Sequence, residues 1–138
     1  IKIMELNKLY SIAGKENISI FNAKMKNKAI ICKIDDDYYI GLNYRNIDNS
    51  VQEKELLAEE LGHYYCNALY NIYSDKETVR KKECRAQKWA FKTLIPSSTL
   101  IQLKENGCKY SYEIAERLGV SEELLNVAYN YYKENEYI

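Results

Sequence analysis

Apolar residues recur along this chain with two different periods. Ile3, Leu6, Leu9 and Tyr10 are spaced helically, which predicts a first helix over Ile3 to Ala13 with Gly14 as its C-cap. Between Ile18 and Leu42 the pattern shortens to β-branched and aromatic runs: Ile18 to Phe21, Ala29 to Ile34 and Tyr38 to Leu42. Asn27-Lys28 and Asp35-Asp36-Asp37 stand between them as hairpin turns would, so a small three-stranded antiparallel sheet is expected. From residue 50 helical spacing returns. Ser50 with Glu53 has the capping-box spacing, and the helix it starts is expected to run to about Tyr70 on Leu56, Leu57, Leu61, Tyr64 and Leu69. A second long helix is predicted from Lys76 to Leu94, ending before Pro96. A short one follows from Ser97 or Ser98 to Glu105, stopped by Asn106-Gly107. Ser111 and Ser121 read as N-caps of two more, Tyr112–Leu118 and Glu122–Lys133. The expected class is α+β.

Length and composition narrow the possibilities. At 138 residues and 16.2 kDa, with 46% hydrophobic and 29% charged residues, the chain has the make-up of one folded domain. That domain is expected to comprise an N-terminal helix and sheet (1–49), a central helix pair (50–96) and C-terminal helices (97–138). Twenty basic residues balance twenty acidic ones, so the chain has no general attraction for phosphate backbones or anionic membranes. Neither direct nucleic-acid binding nor a membrane role is expected, since no apolar run approaches the roughly 20 residues of a membrane span. Lys2, Glu5 and Lys8 interrupt the opening segment, which speaks against a signal peptide and for the cytoplasm. The four cysteines include no CxxC pair, which leaves no zinc ribbon or thioredoxin motif and suggests free thiols. His63 is the only histidine, which excludes any site built on two imidazoles.

The chemistry-bearing segment is Ala58-Glu-Glu-Leu-Gly-His63-Tyr-Tyr. On a helix, residues four apart share a face, so Glu59 and His63 point the same way and can grip one metal ion. Glu60 lies about 100° further round, where it reaches a water on that metal rather than the metal itself. The spacing is that of the HExxH metallopeptidase helix with Glu59 in place of the first histidine. Taken alone, the motif is equally read as a solvated acidic patch, with His63 a part-buried residue donating to a backbone carbonyl. Cys66 and Cys84 adjoin the motif residues, and Tyr64 and Tyr65 follow directly. Packing is the simpler role for all four, although a thiolate ligand and an oxyanion donor are the functional alternatives.

A second segment adds specificity. Glu83, Ala86, Trp89, Ala90, Leu94 and Pro96 follow on the next helix, with Pro96 ten residues after Ala86. Together with Ala58 to Tyr64 this resembles the ImmA/IrrE family of metallopeptidases, whose members carry HELGH followed by a helix of roughly E-x-x-A-N-x-F-A-x-x-L-L-x-P. Gln87 and Trp89 are mild departures from that pattern. The resemblance implies a zincin-like metallopeptidase domain with His63 and Glu83 as metal ligands and Glu60 as general base. It also implies a protein substrate, a helix-turn-helix repressor of a phage or mobile element.

Glu59 departs from the family pattern. A carboxylate still binds zinc, so Glu59, His63 and Glu83 supply three ligands and leave a fourth position open. Two carboxylates and one imidazole, however, neutralise Zn²⁺, whereas two imidazoles and one carboxylate leave it at +1. A weaker Lewis acid, a more alkaline optimum and better competition from Mn²⁺ or Fe²⁺ are expected. Alternatively the site is vestigial and the protein a regulator that binds without cutting. A third reading comes from Ile114 to Asn126, which resembles a helix-turn-helix with Gly119-Val-Ser121 at the turn. There the would-be recognition helix begins Glu122-Glu123, which would meet phosphates with like charge.

Overall fold

The computed structural model describes residues 1–138. It contains helices α1 (Leu6–Lys15), α2 (Ser50–Tyr65), α3 (Lys76–Leu94), α4 (Ser97–Glu105), α5 (Ser111–Leu118) and α6 (Glu122–Glu134). Strands β1 (Ser19–Asn22), β2 (Ala29–Ile34) and β3 (Asp37–Leu42) form one sheet, and a single 3₁₀ turn spans Tyr44–Asn46. The class is α+β, as the pattern predicts. Two compact units divide the chain: Glu5–Ala90, and Phe91–Ile138 with Ile1–Met4.

In the first unit α1 starts three residues later than expected and passes through Gly14 to Lys15. Its stop is Asn17, which adopts the left-handed conformation (φ 58°) and lets the Ile18 amide reach back to the Ala13 carbonyl at 2.9 Å. Asparagine tolerates that region better than most residues, so the terminating role falls to it and not to Gly14.

The sheet is mixed, not antiparallel. Its order is β1-β3-β2, with β1 parallel to β3 and only β2 and β3 antiparallel. The tight turn at Asp35-Asp36, closed by the Ile34–Asp37 pair with Asp35 at φ 56°, commits β3 to β2. Residues 23–28 do not form a hairpin; they carry the chain across the end of β3, where the Ala23 amide bonds the Leu42 carbonyl and the Asn43 amide that of Lys28. The burial of the strands accounts for the order. Ile40, Gly41 and Leu42 of β3 are all buried, whereas β1 and β2 are largely exposed or half-exposed and take the edges.

The cap of α2 lies one residue before the expected Ser50. Asn49 accepts from the Gln52 amide (2.9 Å), and the Gln52 side chain accepts from the Asp48 amide (2.8 Å), an Asn-x-x-Gln variant of the capping box. The same helix ends at Tyr65, not Tyr70. Asn67 turns left-handed (φ 50°) and the Ala68 amide bonds the His63 carbonyl at 2.8 Å. Asp75 caps α3 by accepting from the Thr78 amide (2.7 Å), which also holds the Asp75 carboxyl below its ordinary pKa. Leu9, Ile40, Leu42, Leu57, Ala58, Leu61 and Ala86 are completely buried and form this unit's core.

The second unit comprises the last turn of α3 with α4, α5 and α6. Tyr132 is its largest fully buried side chain, and its hydroxyl donates to the Ile95 carbonyl at 2.7 Å. Phe91 meets Tyr131 and Tyr132, and Leu100, Leu103, Leu118 and Leu125 complete the core. Tyr110, not Ser111, takes the N-cap position of α5, whereas Ser121 caps α6 as expected by accepting from the Leu124 amide. No helix is long and apolar enough to cross a membrane.

Candidate metal centre

The site begins with the closeness of two helices. A Cβ on Gly62 of α2 would lie 2.4 Å from the Ala86 carbonyl oxygen of α3, so the backbones meet at a distance that only glycine permits. Next to this contact, α2 carries His63 and, one turn back, Glu59, while α3 carries Glu83 one turn before Ala86. One ligand atom from each of Glu59, His63 and Glu83 fits within a set whose members all lie within 4.8 Å of one another. Three donors at roughly 2.0–2.2 Å from one tetrahedral ion stand about 3.3–3.6 Å apart. His63 Nε2 and Glu83 Oε1, at 3.5 Å, already have that spacing, and side-chain adjustment of up to about 1 Å closes the rest of the set.

The His63 ring is 4% exposed, and its Nδ1 lies 2.9 Å from the Ala68 carbonyl oxygen. A carbonyl only accepts, so Nδ1 carries a proton, and in the neutral ring Nε2 is the nitrogen with a lone pair to offer. Nε2 faces Glu83, with Oε1 at 3.5 Å. The carbonyl bond and the ligand role thus belong to the two different nitrogens of one ring, and each of the two readings of His63 has its own atom.

The acids are held in unusual states. Burial, followed by a hydrogen bond and repulsion from Glu83, pushes the Glu59 carboxyl up to about 7. Burial also raises Glu60, with repulsion from Glu59 and Glu83 adding to it, and its carboxyl reaches about 8. Burial works the same way on Glu83, but hydrogen bonds from Tyr70 and Glu59 and the neighbouring His63 outweigh it and hold that carboxyl below its ordinary value. Three carboxyls converging in a half-buried pocket repel one another, and without a cation the protein retains protons there to lower the charge. A divalent ion would do the same work. The donor set therefore fits one.

A cleft of about 510 Å³ opens over these residues. Ala29, Ile30 and Ile31 of β2 form one side, and Leu56, Leu69 and Ile72 add apolar surface. Because β2 is an edge strand, its outer side keeps backbone groups with no strand partner.

Four residues flagged beside the motif are engaged elsewhere. Tyr64 donates to Glu16 (2.8 Å) and meets Tyr38 edge-on, while Tyr65 stacks on Trp89 with ring centroids 5.0 Å apart. Half-buried Cys66 contacts the Arg85 carbonyl, Cys84 is exposed, and all four cysteines are free thiols. The tyrosine that reaches the site is Tyr70, whose hydroxyl donates to Glu83 Oε1 and whose ring meets His63 edge-on at 5.8 Å. Reading α2 as continuous to Tyr70 hides this residue. Asn67, an asparagine able to close a helix in the left-handed conformation, is the signal that could have exposed it.

Two adjacent helices that converge a carboxylate, an imidazole and a second carboxylate at the floor of an open cleft, beside a free strand edge, define a candidate metal-dependent hydrolase. The chain belongs to the metallopeptidase family described as the IrrE N-terminal-like domain, whose model matches residues 13–130. No curated protein and no solved structure matches it.

Proposed function

We propose that this protein is a zinc-type metallo-endopeptidase in which Glu59, His63 and Glu83 hold the ion and Glu60 is the general base. The observation that carries this reading is the His63 ring: buried, committed through Nδ1 to a carbonyl, and presenting Nε2 to two acids that share a hydrogen bond. A divalent ion bound there would supply Lewis acidity toward a peptide carbonyl and make a water more acidic. Glu60 lines the same cleft, half-buried beside the ligand set, and is the group that would take the proton from that water. The free edge of β2 supplies main-chain groups with which an extended peptide can pair, and the apolar lining receives its side chains. The substrate is therefore a polypeptide, and the family resemblance points to a helix-turn-helix repressor of a phage or mobile element, met in the cytoplasm.

Glu59 sets the strength of the centre. With two carboxylate ligands the ion's charge is fully neutralised, so the reaction runs best in the alkaline range and Mn²⁺ or Fe²⁺ competes with Zn²⁺. The same neutrality supports a second reading, a catalytically weak relative that binds its partner without cleaving it. Elemental analysis of the purified protein tests the proposal. One equivalent of divalent metal is expected in the native protein and in Glu60→Ala, and none in His63→Ala. Glu60→Ala should lower peptide hydrolysis by about 10²-fold or more. Glu59→His should tighten zinc selectivity and raise turnover. A native protein that retains no divalent metal would remove the basis of the reading, and native activity no higher than that of Glu60→Ala would select the non-cleaving alternative.

A further inference from the structure

Three consecutive residues beyond α2 are each tied to the candidate centre. The Ala68 carbonyl accepts from His63 Nδ1 (2.9 Å), the Leu69 carbonyl accepts from Lys82 Nζ (2.5 Å), and the Tyr70 hydroxyl donates to Glu83. Lys82 and Glu83 are neighbours on α3, so this short strap links the ligand of one helix to the ligand of the other. The early stop of α2 at Asn67 makes the strap possible, because a helix continued to Tyr70 would carry these groups away along its axis.

Within the strap the Tyr70 side chain meets both ligand residues. Its hydroxyl bonds the carboxyl of Glu83, and its ring lies edge-on to the His63 imidazole. Glu83 is half-exposed and also takes hydrogen bonds from Glu59 and His63, but both of those belong to the ligand set, so Tyr70 is the named donor left to hold its carboxyl once they turn to an ion. A ligand that must first be immobilised binds its ion less tightly, which is why groups that orient metal ligands affect affinity.

We propose that Tyr70 is a positioning residue of the metal centre, its hydroxyl fixing Glu83 and its ring bracing His63. This rests on the ligand set proposed above. Zinc affinity is measured by competition with a chromophoric chelator for the native protein, Tyr70→Phe, Tyr70→Leu and, as a control, Tyr65→Phe. Tyr65 stacks on Trp89 and lies outside the cleft lining, so its variant should bind as the native protein does. Tyr70→Phe keeps the ring and loses the hydroxyl; its zinc affinity should fall about 10- to 100-fold with the metal-free melting temperature unchanged. Tyr70→Leu should bind more weakly still. Zinc should also produce a tyrosine ultraviolet difference band in the native protein that is missing in Tyr70→Phe. Native-like affinity in Tyr70→Phe overturns the proposal while leaving the metal centre intact. A loss of affinity matched by a lower metal-free melting temperature also overturns it, by making Tyr70 a packing residue. Failure of the native protein itself to bind zinc overturns both this proposal and the ligand set.

Discussion

Two pairs of adjacent glutamates occur on helices of this protein, and they live under opposite conditions. Glu122 and Glu123 open α6, exposed, just after the Ser121 cap and beside the free amides of the first turn. There a negative charge is favoured by the helix dipole and bathed in water. Glu59 and Glu60 sit in the third turn of α2, half-buried, facing a third acid and an imidazole, with their carboxyls pushed up to about 7 and about 8. The first pair is fully accounted for by the helix it starts. The second is costly where it stands, and a bound cation would offset the cost. Identical residue types thus carry different information, and the difference is whether the surroundings already satisfy them.

The comparison can be broken most decisively by pH. A carboxyl raised in the folded state binds its proton more tightly there than in the unfolded chain, so stability falls as pH rises through the folded value. Glu59 and Glu60 should therefore cost the metal-free protein on the order of a few kcal/mol between about pH 4.5 and pH 8. Glu83, held low, acts in the opposite sense and only under more acidic conditions. Urea midpoints recorded across this range should drop in the absence of metal and flatten when zinc is added. A flat metal-free profile would place Glu59-Glu60 in the same category as Glu122-Glu123.

Gly62→Ala comes next in size. The added methyl would press into the Ala86 backbone, and forcing the helices apart should cost about 1–3 kcal/mol. Zinc affinity should weaken with it, since the same contact sets Glu83 against His63. A variant with native melting temperature and native affinity would show that the helix crossing does not hold the ligands.

Smallest is Ser121→Ala, which removes the bond to the Leu124 amide and should cost about 1 kcal/mol in thermal unfolding. It should leave zinc binding untouched. In the same region the native protein should show no steep salt-dependent affinity for DNA, because the exposed acids at the start of α6 repel phosphate. A steep slope of binding against salt would give the α5–α6 pair the function denied to it here.

Helical and strand periods located every α-helix and β-strand to within a few residues, the largest error being the end of α2. The end of α1 moved from Ala13 to Lys15, and that of α2 retreated from Tyr70 to Tyr65, each set by an asparagine that took a left-handed conformation. Apolar spacing carries no information about that choice, since Leu69 continues the hydrophobic pattern after the helix has ended. The parallel pairing of β1 was hidden for a related reason. A strand's residues record which faces it buries but not which neighbour it chooses, and here the buried middle went to β3.

What the residue order determined by itself was local: the α+β class, the shared face of Glu59 and His63, the angular offset of Glu60, and the helix on which Glu83 lies. These follow from fixed backbone geometry, which repeats every 3.6 residues wherever a helix forms. Only the tertiary structure decided that Gly62 would meet Ala86, that the Ala68 carbonyl would fix the His63 tautomer, and that Tyr70 would reach Glu83. Those outcomes depend on where one helix stops, which the turn at Asn67 sets, and on how closely another approaches it, which packing between the two helices sets.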